Sequence, residues 1–369
     1  MRSRIAVAVA FIQTILLLAH WFVYETWIHF WGPQGVLGAD VVRPAIAVLS
    51  VSFVAASLLA FRYFNPLVRG FYKVASVWLG ALNFFFFASC VAWLIDGAAR
   101  LVGFHPNGHA LAAALFGIAA LTSVYGVINA ASLRVRRISV KLPGLPASWR
   151  GRVAALITDT HLGHVRGPRF VDRIVAKLRQ VGADVVFISG DLFDGTKVDP
   201  ILLAEPWKHL APKFGAYFVT GNHEEFSDPT KFLDAINRSG IRVLNNEKVN
   251  VDGLQIVGVP YRDSTDAQHF HSVLERTDLD RSRASILLSH VPHALPIAEK
   301  HGISLQLSGH THGGQIFPFT WFTSRIFGAF TYGLHRFGDL MVYTSSGAGT
   351  WGPPMRVGTQ PEIVLIHFE

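Results

Sequence analysis

The sequence predicts a multi-pass α-helical membrane domain of four transmembrane helices followed by an α/β layered sandwich. Half of the 369 residues are apolar, and Lys, Arg, Asp and Glu are sparse before residue 133 but ordinary after it. At the same point the apolar runs shorten from membrane-spanning length to strand length, with amphipathic stretches between them.

The helices come first in the argument. A span needs about 20 apolar residues to cross a hydrocarbon layer roughly 30 Å thick. Ile5 to Val23, Pro44 to Phe61, Val74 to Ile95 and Ala110 to Leu133 contain no Asp, Glu, Lys or Arg. Backbone amides must be paired within lipid, so such runs close their own bonds as helices. Arg2 and Arg4 before the first run resemble a signal peptide, but no A-x-A site follows and three more spans do, so the run is expected to remain. Trp21, Trp27, Trp31, Trp78 and Trp93 fall at or near expected span ends. Polar Gln13, Asn83 and Asn129 inside the spans are expected to bond between helices. His20, His29, His105 and His109 are read as interfacial side chains.

Positive charge sets the expected orientation. Arg2, Arg4, Arg62, Arg69, Lys73, Arg134, Arg136, Arg137 and Lys141 fall on one side, against Arg43 and Arg100 on the other. That asymmetry predicts both termini, and the domain after the helices, on the cytoplasmic side of an inner membrane. The net charge of +8 includes no block of five basic residues, so no nucleic-acid partner is expected; the bilayer and an anionic or phosphorylated ligand are. The only cysteine, Cys90, excludes a disulfide framework or a thiolate metal site within one chain.

The expected domains are 1–133 in the membrane, a basic Pro/Gly linker over 134–150 that includes Pro143-Gly-Leu-Pro146, and a folded domain over 151–369. Val153 to Ile157, Val185 to Ile188, Tyr217 to Val219, Ile256 to Val259, Ile286 to Leu288, Ile303 to Leu307, Leu340 to Thr344 and Glu362 to His367 read as strands. Between the first two, Phe170, Ile174 and Leu178 recur every fourth residue, with Val171 and Val175 beside them, which predicts an amphipathic helix. Strand, helix and strand in succession predict the layered α/β sandwich.

Five of these strands end in chemistry. They lead into Asp159-Thr-His161, Gly190-Asp191-Leu-Phe-Asp194, Gly221-Asn222-His223-Glu224, Ser289-His290 and Gly309-His310-Thr-His312. Side chains at strand ends are held by the sheet yet open to a cleft. Carboxylate, amide oxygen and imidazole together suit manganese most of all, with zinc, iron, nickel or cobalt as alternatives. Seven such donors are too many for one ion and suit two divalent cations sharing a carboxylate. Such a pair activates water and neutralises phosphoryl oxygens during ester hydrolysis.

In this order the blocks resemble the metallophosphoesterase (calcineurin-like phosphoesterase) superfamily, over Arg152 to the C-terminus. Gly309 to Gln315 is similar to its bacterial membrane-associated branch, which includes hydrolases of the UDP-2,3-diacylglucosamine kind. The resemblance implies that Asp159, His161 and His312 hold one metal and Asn222, His290 and His310 the other, with Asp191 bridging. His223 would contact the phosphate and protonate the leaving oxygen. Asp194 and Glu224 would orient imidazoles. The implied activity is hydrolysis of a phosphoester or pyrophosphate bond, with a lipid-linked nucleotide as the best-fitting substrate. The alternatives are a soluble-nucleotide phosphodiesterase merely anchored by its helices, or a membrane sensor or transporter with a regulatory hydrolase domain.

Three arginines and one segment remain. Gly313 to Asp339 is aromatic for a loop, and is either an acyl-chain groove or lid, with Arg325 and Arg336 available to phosphate, or the packed core of a hairpin. Arg356 is a third candidate for substrate phosphate, with a solvated surface position as the plainer alternative. His164 and His293 neighbour the ligand blocks and are expected at the surface or behind the ligands.

Overall fold

The computed structural model describes residues 2–33, 37–226 and 228–369. The side chains of Arg2 and Arg4, counted in the charge asymmetry, lie outside the described set. The chain forms two compact units, residues 1–128 with 352–355, and residues 129–351 with 356–369.

The first unit contains helices α1 (Arg2–Trp31), α2 (Ala39–Ala60) and α3 (Pro66–Leu101) and most of α4 (Gly108–Ala131). All four are long and apolar enough to cross a membrane. They outrun the charge-free segments, because a helix continues through polar residues once its apolar centre is satisfied. The 36 residues of α3 extend roughly 54 Å at 1.5 Å per residue, so Arg69, Lys73 and Arg100 mark ends beyond a hydrocarbon core. Asn65 caps α3 by accepting from Val68 N at 3.0 Å, ahead of Pro66 at the first helical position. Polar side chains join helices as expected: Gln13 donates to Ser50 O at 2.9 Å and Trp78 Nε1 to His20 Nε2 at 2.8 Å. His20 is therefore buried between helices rather than interfacial. Asn129 also departs from expectation. Its amide donates to Arg356 O and Thr359 O, both at 2.9 Å, inside the second unit.

The second unit is a four-layer α/β/β/α sandwich. In chain order its strands are β1 (Arg134–Val140), β2 (Val153–Ile157), β3 (Val185–Ser189), β4 (Ala216–Val219), β5 (Arg242–Val243), β6 (Glu247–Val251), β7 (Leu254–Val259), β8 (Ser285–Ser289), β9 (Leu305–Ser308), β10 (Gly333–Phe337), β11 (Leu340–Thr344) and β12 (Glu362–Phe368). Its helices are α5 (Pro168–Val181), α6 (Pro200–Ala204), α7 (Thr230–Arg238), α8 (Tyr261–Thr265), α9 (Ala267–Arg276), α10 (Leu295–Lys300) and α11 (Phe319–Phe327). One sheet has the order β1-β12-β2-β3-β4-β5 and the other β10-β11-β9-β8-β7-β6.

Strands β2, β3 and β4 run parallel in the first sheet, as do β7, β8 and β9 in the second. Side chains alternate between faces, so one set from each sheet meets in the middle: Leu156, Phe187 and Val219 pack with Ile256, Leu288 and Leu307. The outer face of the first sheet is covered by Phe170, Ile174 and Leu178 of α5 together with residues of α6 and α7. Fully burying Ile174 contributes roughly 1.5–3 kcal/mol. Gly182, with φ 64°, ends α5 in the left-handed conformation. Helices α9 and α10 cover the second sheet through Phe270, Leu274 and Ala298.

The stretch 134–150 is not a linker. Residues 134–140 form β1, paired in parallel with β12 from Arg134↔Glu362 to Val140↔Phe368. Leu142, Leu145 and Trp149 then enter the core between the sheets. The basic residues of β1 are exposed and interrupt the buried period of Ile138 and Val140. The aromatic segment divides: Gly333–Phe337 pairs with β11 as a hairpin, whereas α11 before it has no buried residue.

Candidate metal centre

All seven proposed ligands converge where the parallel strands of both sheets end. Asp159 and His161 follow β2, Asp191 follows β3 and Asn222 follows β4; His290 follows β8, while His310 and His312 follow β9. His161 Nε2 lies 3.0 Å from His312 Nε2, His312 Nε2 lies 3.4 Å from Asp159 Oδ1, and His161 Nε2 lies 3.9 Å from Asp191 Oδ2. Asp191 Oδ2 also lies 3.1 Å from His290 Nε2, and His310 Nδ1 is 2.9 Å from Asn222 Oδ1. Donors around one cation at about 2.1 Å are separated by roughly 3.0–3.4 Å; most of these spacings fall near that range, which suits two coordination spheres that would share Asp191.

Electrostatics supports the fit. Burial holds His161 and His312 well below the ordinary imidazole value, so at most one proton lies between their facing nitrogens. A divalent cation satisfies both lone pairs at once. Burial also opposes charge on Asp191, but His290, His223 and His161 outweigh it and hold the carboxyl far below its usual range. His290 Nε2 is buried and, although close to Asp191, has no partner in hydrogen-bonding geometry. A buried, unpartnered imidazole nitrogen is suited to bind a metal.

The backbone is bent to make the site. Asp159, Asp191, His161, His310 and His312 all have φ between 46° and 69°. Non-glycine residues there cost of order 1 kcal/mol or more each and persist only where surroundings fix them. Gly190, φ 84°, is one place where no side chain fits: a Cβ would stand 2.5 Å from His290 Nδ1. At Gly221 a Cβ would collide with the Asp191 carboxylate.

The backbone, more than the acids, aims the imidazoles. His290 Nδ1 donates to Ser189 O at 2.7 Å and His223 Nδ1 to Asp194 O at 2.8 Å. This corrects the expected roles of Asp194 and Glu224. The Asp194 carboxylate accepts from Thr196 N at 2.9 Å and His164 N at 3.3 Å, and only its carbonyl meets His223. Glu224 accepts from Asp191 N, Phe193 N and Gly221 N at 3.0, 2.9 and 2.8 Å, tying two ligand loops together. Sequence spacing cannot distinguish a carboxylate that holds rings from one that holds amides.

The three arginines separate. Arg325 is exposed and lies over the Trp321 ring at 4.9 Å. Arg336 lies away from the ligands: it pairs with Met341, which pairs with Leu305, the first residue of β9, whereas the ligands follow its last, Ser308. At about 3.3 Å per residue that register sets it roughly 10 Å down the sheet. Arg356 is wholly buried, neither at the surface nor open to substrate. Its guanidinium donates to Ser346 O, Gly349 O and Thr359 Oγ1 and lies 3.3 Å from His312 Nδ1. Burial lowers it to about 10, still protonated near neutrality. His164 is buried beside Asp194, and His293 is exposed.

The sequence reading missed an aromatic rim. Phe226 and Trp351 flank His223 at ring separations of 4.4 and 6.0 Å, and Tyr261 stands 5.7 Å from His310. Gln315 fixes Trp351, accepting from its amide and donating to its carbonyl, both at 2.9 Å. Only the nearness of Phe226 to His223 in sequence offered a signal.

Comparison with known proteins follows this geometry. The family described as calcineurin-like phosphoesterase matches residues 153–314. A metallophosphoesterase of Aquifex aeolicus is 30% identical over 257 residues, which cover 68% of this chain and 98% of that protein. The chain belongs to the calcineurin-like phosphoesterase family. A Campylobacter jejuni metallophosphoesterase is 32% identical over 252 residues, covering 67% of this chain and 66% of its own. A zebrafish (Danio rerio) transmembrane protein with metallophosphoesterase domain is 34% identical over 268 residues, covering 68% and 60%. The chain thus spans 60–66% of the length of these last two relatives.

A calcineurin-like phosphoesterase centre stripped of cations should respond to pH with a definite sign. Burial, aided by the Asp191 charge, raises Glu224 from 4.5 to about 8. Burial resists charge on His290, but Asp191 and Asp159 outweigh it and raise it from 6.5 to about 10. Both groups bind protons more tightly folded than unfolded, so their stabilisation is lost as pH climbs through those windows. Asp159, raised by burial to about 6, has largely titrated by pH 6.5; His310, lowered by burial to about 4, and His161 and His312, held well below 6.5 by burial, are neutral in the fold, so their unfolded forms shed protons above pH 6.5 and return a smaller part of that stability. The chelated protein should therefore melt a few degrees lower at pH 8 than at pH 6.5. Thermal melts with and without manganese check this; a chelated protein that is more stable at pH 8 contradicts the assigned charges.

Proposed function

We propose that this chain hydrolyses a phosphoester or pyrophosphate bond in a lipid-linked substrate at a membrane surface, using two divalent cations. The observation that carries the lipid reading is α11. Phe319, Trp321, Phe322 and Ile326 are each more than half exposed, and Phe327, the last residue of the helix, stands 6.2 Å from the His310 ring. An unpaired apolar helix ending against a metal ligand is suited to guide an acyl chain towards the phosphate. Arg325, stacked on Trp321, adds a positive charge to that path.

Two cations held by Asp159, His161, Asp191, Asn222, His290, His310 and His312 would supply an activated water and neutralise the phosphoryl oxygens. The protein provides the rest. His223 uses Nδ1 on the Asp194 carbonyl, which leaves Nε2, 3.9 Å from Asp191 Oδ2, to hold a proton for the leaving oxygen. The manganese preference rests on the donor set alone, and the cytoplasmic face of an inner membrane on the charge asymmetry around the helices.

One observation favours a second reading, a soluble-nucleotide phosphodiesterase held at the membrane. Phe226 and Trp351 are both mostly exposed beside His223, and their faces are suited to stack a base. A lipid-linked nucleotide engages both surfaces. Substituting Phe322→Ser together with Ile326→Ser should lower kcat/KM for a detergent-dispersed lipid-linked nucleotide about tenfold or more while leaving a soluble nucleotide diester within about twofold. Equal losses on both substrates, or none on either, would favour the second reading.

A further inference from the structure

We propose that Arg356 is a positioning residue for the first cation, fixing together the two ligand loops that the opposite sheets contribute to that ion. The proposal rests on the two-metal reading of the site and is independent of the substrate.

Asp159 belongs to the first sheet and His312 to the second. The segment leaving β11 runs along the Asp159 loop. Ala348 N donates to Thr158 O at 2.9 Å and Gly349 N to Asp159 O at 2.8 Å. Gly347 approaches so closely that a Cβ there would stand 2.7 Å from Asp159 Cβ. Arg356 joins this segment to His312. One edge of its fork donates to Ser346 O at 2.6 Å and Gly349 O at 2.7 Å. The other donates to His312 O at 3.4 Å and to Thr359 Oγ1 at 3.3 Å, and Thr359 Oγ1 in turn donates to Gln315 O at 3.0 Å. A single rigid plane thus sets the height of both loops.

The burial of this charge calls for a reason. Among the described residues no carboxylate lies within ion-pair distance of Arg356, so backbone carbonyls, with the Thr359 hydroxyl, solvate it. An apolar side chain would fill the space without that desolvation. A lysine would keep the charge but lose the fork. A nearby positive charge also repels a cation, so charge and positioning act on metal affinity with opposite signs, and this makes the idea testable.

The test uses the full chain in detergent, stripped by chelation and titrated with manganese, followed by calorimetry and low-temperature EPR. The unaltered protein should bind two ions and give an exchange-coupled spectrum. Arg356→Gln should weaken the first ion about 10–100-fold, the range for residues behind metal ligands. The second ion should move less than about threefold, and the coupled spectrum should give way to that of isolated ions. Arg356→Lys should show the same loss. Unchanged or tighter binding in Arg356→Gln, parallel weakening of both ions, or full recovery with Lys would each overturn the proposal. If Arg356→Gln does not fold, Thr359→Val should produce a smaller loss at the same ion, and binding like that of the unaltered protein would overturn it. Failure of the unaltered protein to bind manganese would instead remove the two-metal reading itself.

Discussion

Asp191→Asn should lower turnover of an activated diester such as bis(p-nitrophenyl) phosphate by about 10³ or more, with the fold intact. Changes behind metal ligands already cost about 10–100-fold, and on the two-metal reading Asp191 is the carboxylate both coordination spheres would share. Its Oδ2 lies 3.1 Å from His290 Nε2 and 3.9 Å from both His161 and His223 Nε2, while Oδ1 accepts from His223 N at 2.9 Å. Asparagine keeps the shape and an oxygen but removes the charge that offsets two cations. Native mass spectrometry should show bound ions falling from two towards one. Turnover within tenfold of the unaltered protein, with both ions retained, would mean that Asp191 is not the bridge.

Glu224→Leu should have the largest effect on stability. The carboxylate is wholly buried and accepts from three amides, and leucine leaves Asp191 N, Phe193 N and Gly221 N without a partner. At about 1–3 kcal/mol per stranded donor, the loss is roughly 3–6 kcal/mol after partial relaxation. That is a large share of the roughly 5–15 kcal/mol that holds a domain together. For a unit of this size it corresponds to about 10–20 °C in Tm. Glu224→Gln, which keeps one acceptor oxygen, should lose less than half as much. A leucine variant melting within about 2 °C of the parent would show that water or a shifted loop satisfies those amides.

The sequence revealed some parts of this molecule and concealed others for physical reasons. The four spans were legible because lipid-crossing helices are uniformly apolar, and strands such as Val153–Ile157 and Leu340–Thr344 because strands buried on both faces are nearly so. The ligands were legible because strand ends followed by Asp, Asn or His have few explanations other than a shared site. Edge strand β1 was hidden: its exposed Arg134, Arg136 and Arg137 imitate a membrane-flanking basic linker. Glu224 was located but its partners were not, since backbone amides leave no mark in a sequence. Arg356 was misjudged because a buried cation without a carboxylate neighbour breaks the usual rule for arginine. Composition supports two readings of Gly313 to Asp339, and the exposure of α11 within it is a tertiary fact that composition does not contain.

On the two-metal reading each cation would draw donors from both layers of the sandwich: Asp159, His161 and Asp191 with His312 for one, Asp191 and Asn222 with His290 and His310 for the other. Ions so held would act as staples along one margin of the two sheets, much as a disulfide joins two chains. Amide hydrogen exchange should register this as a paired response, in which withdrawing metal quickens exchange in the turns after β3 and β9 together while the far ends of both sheets keep their protection.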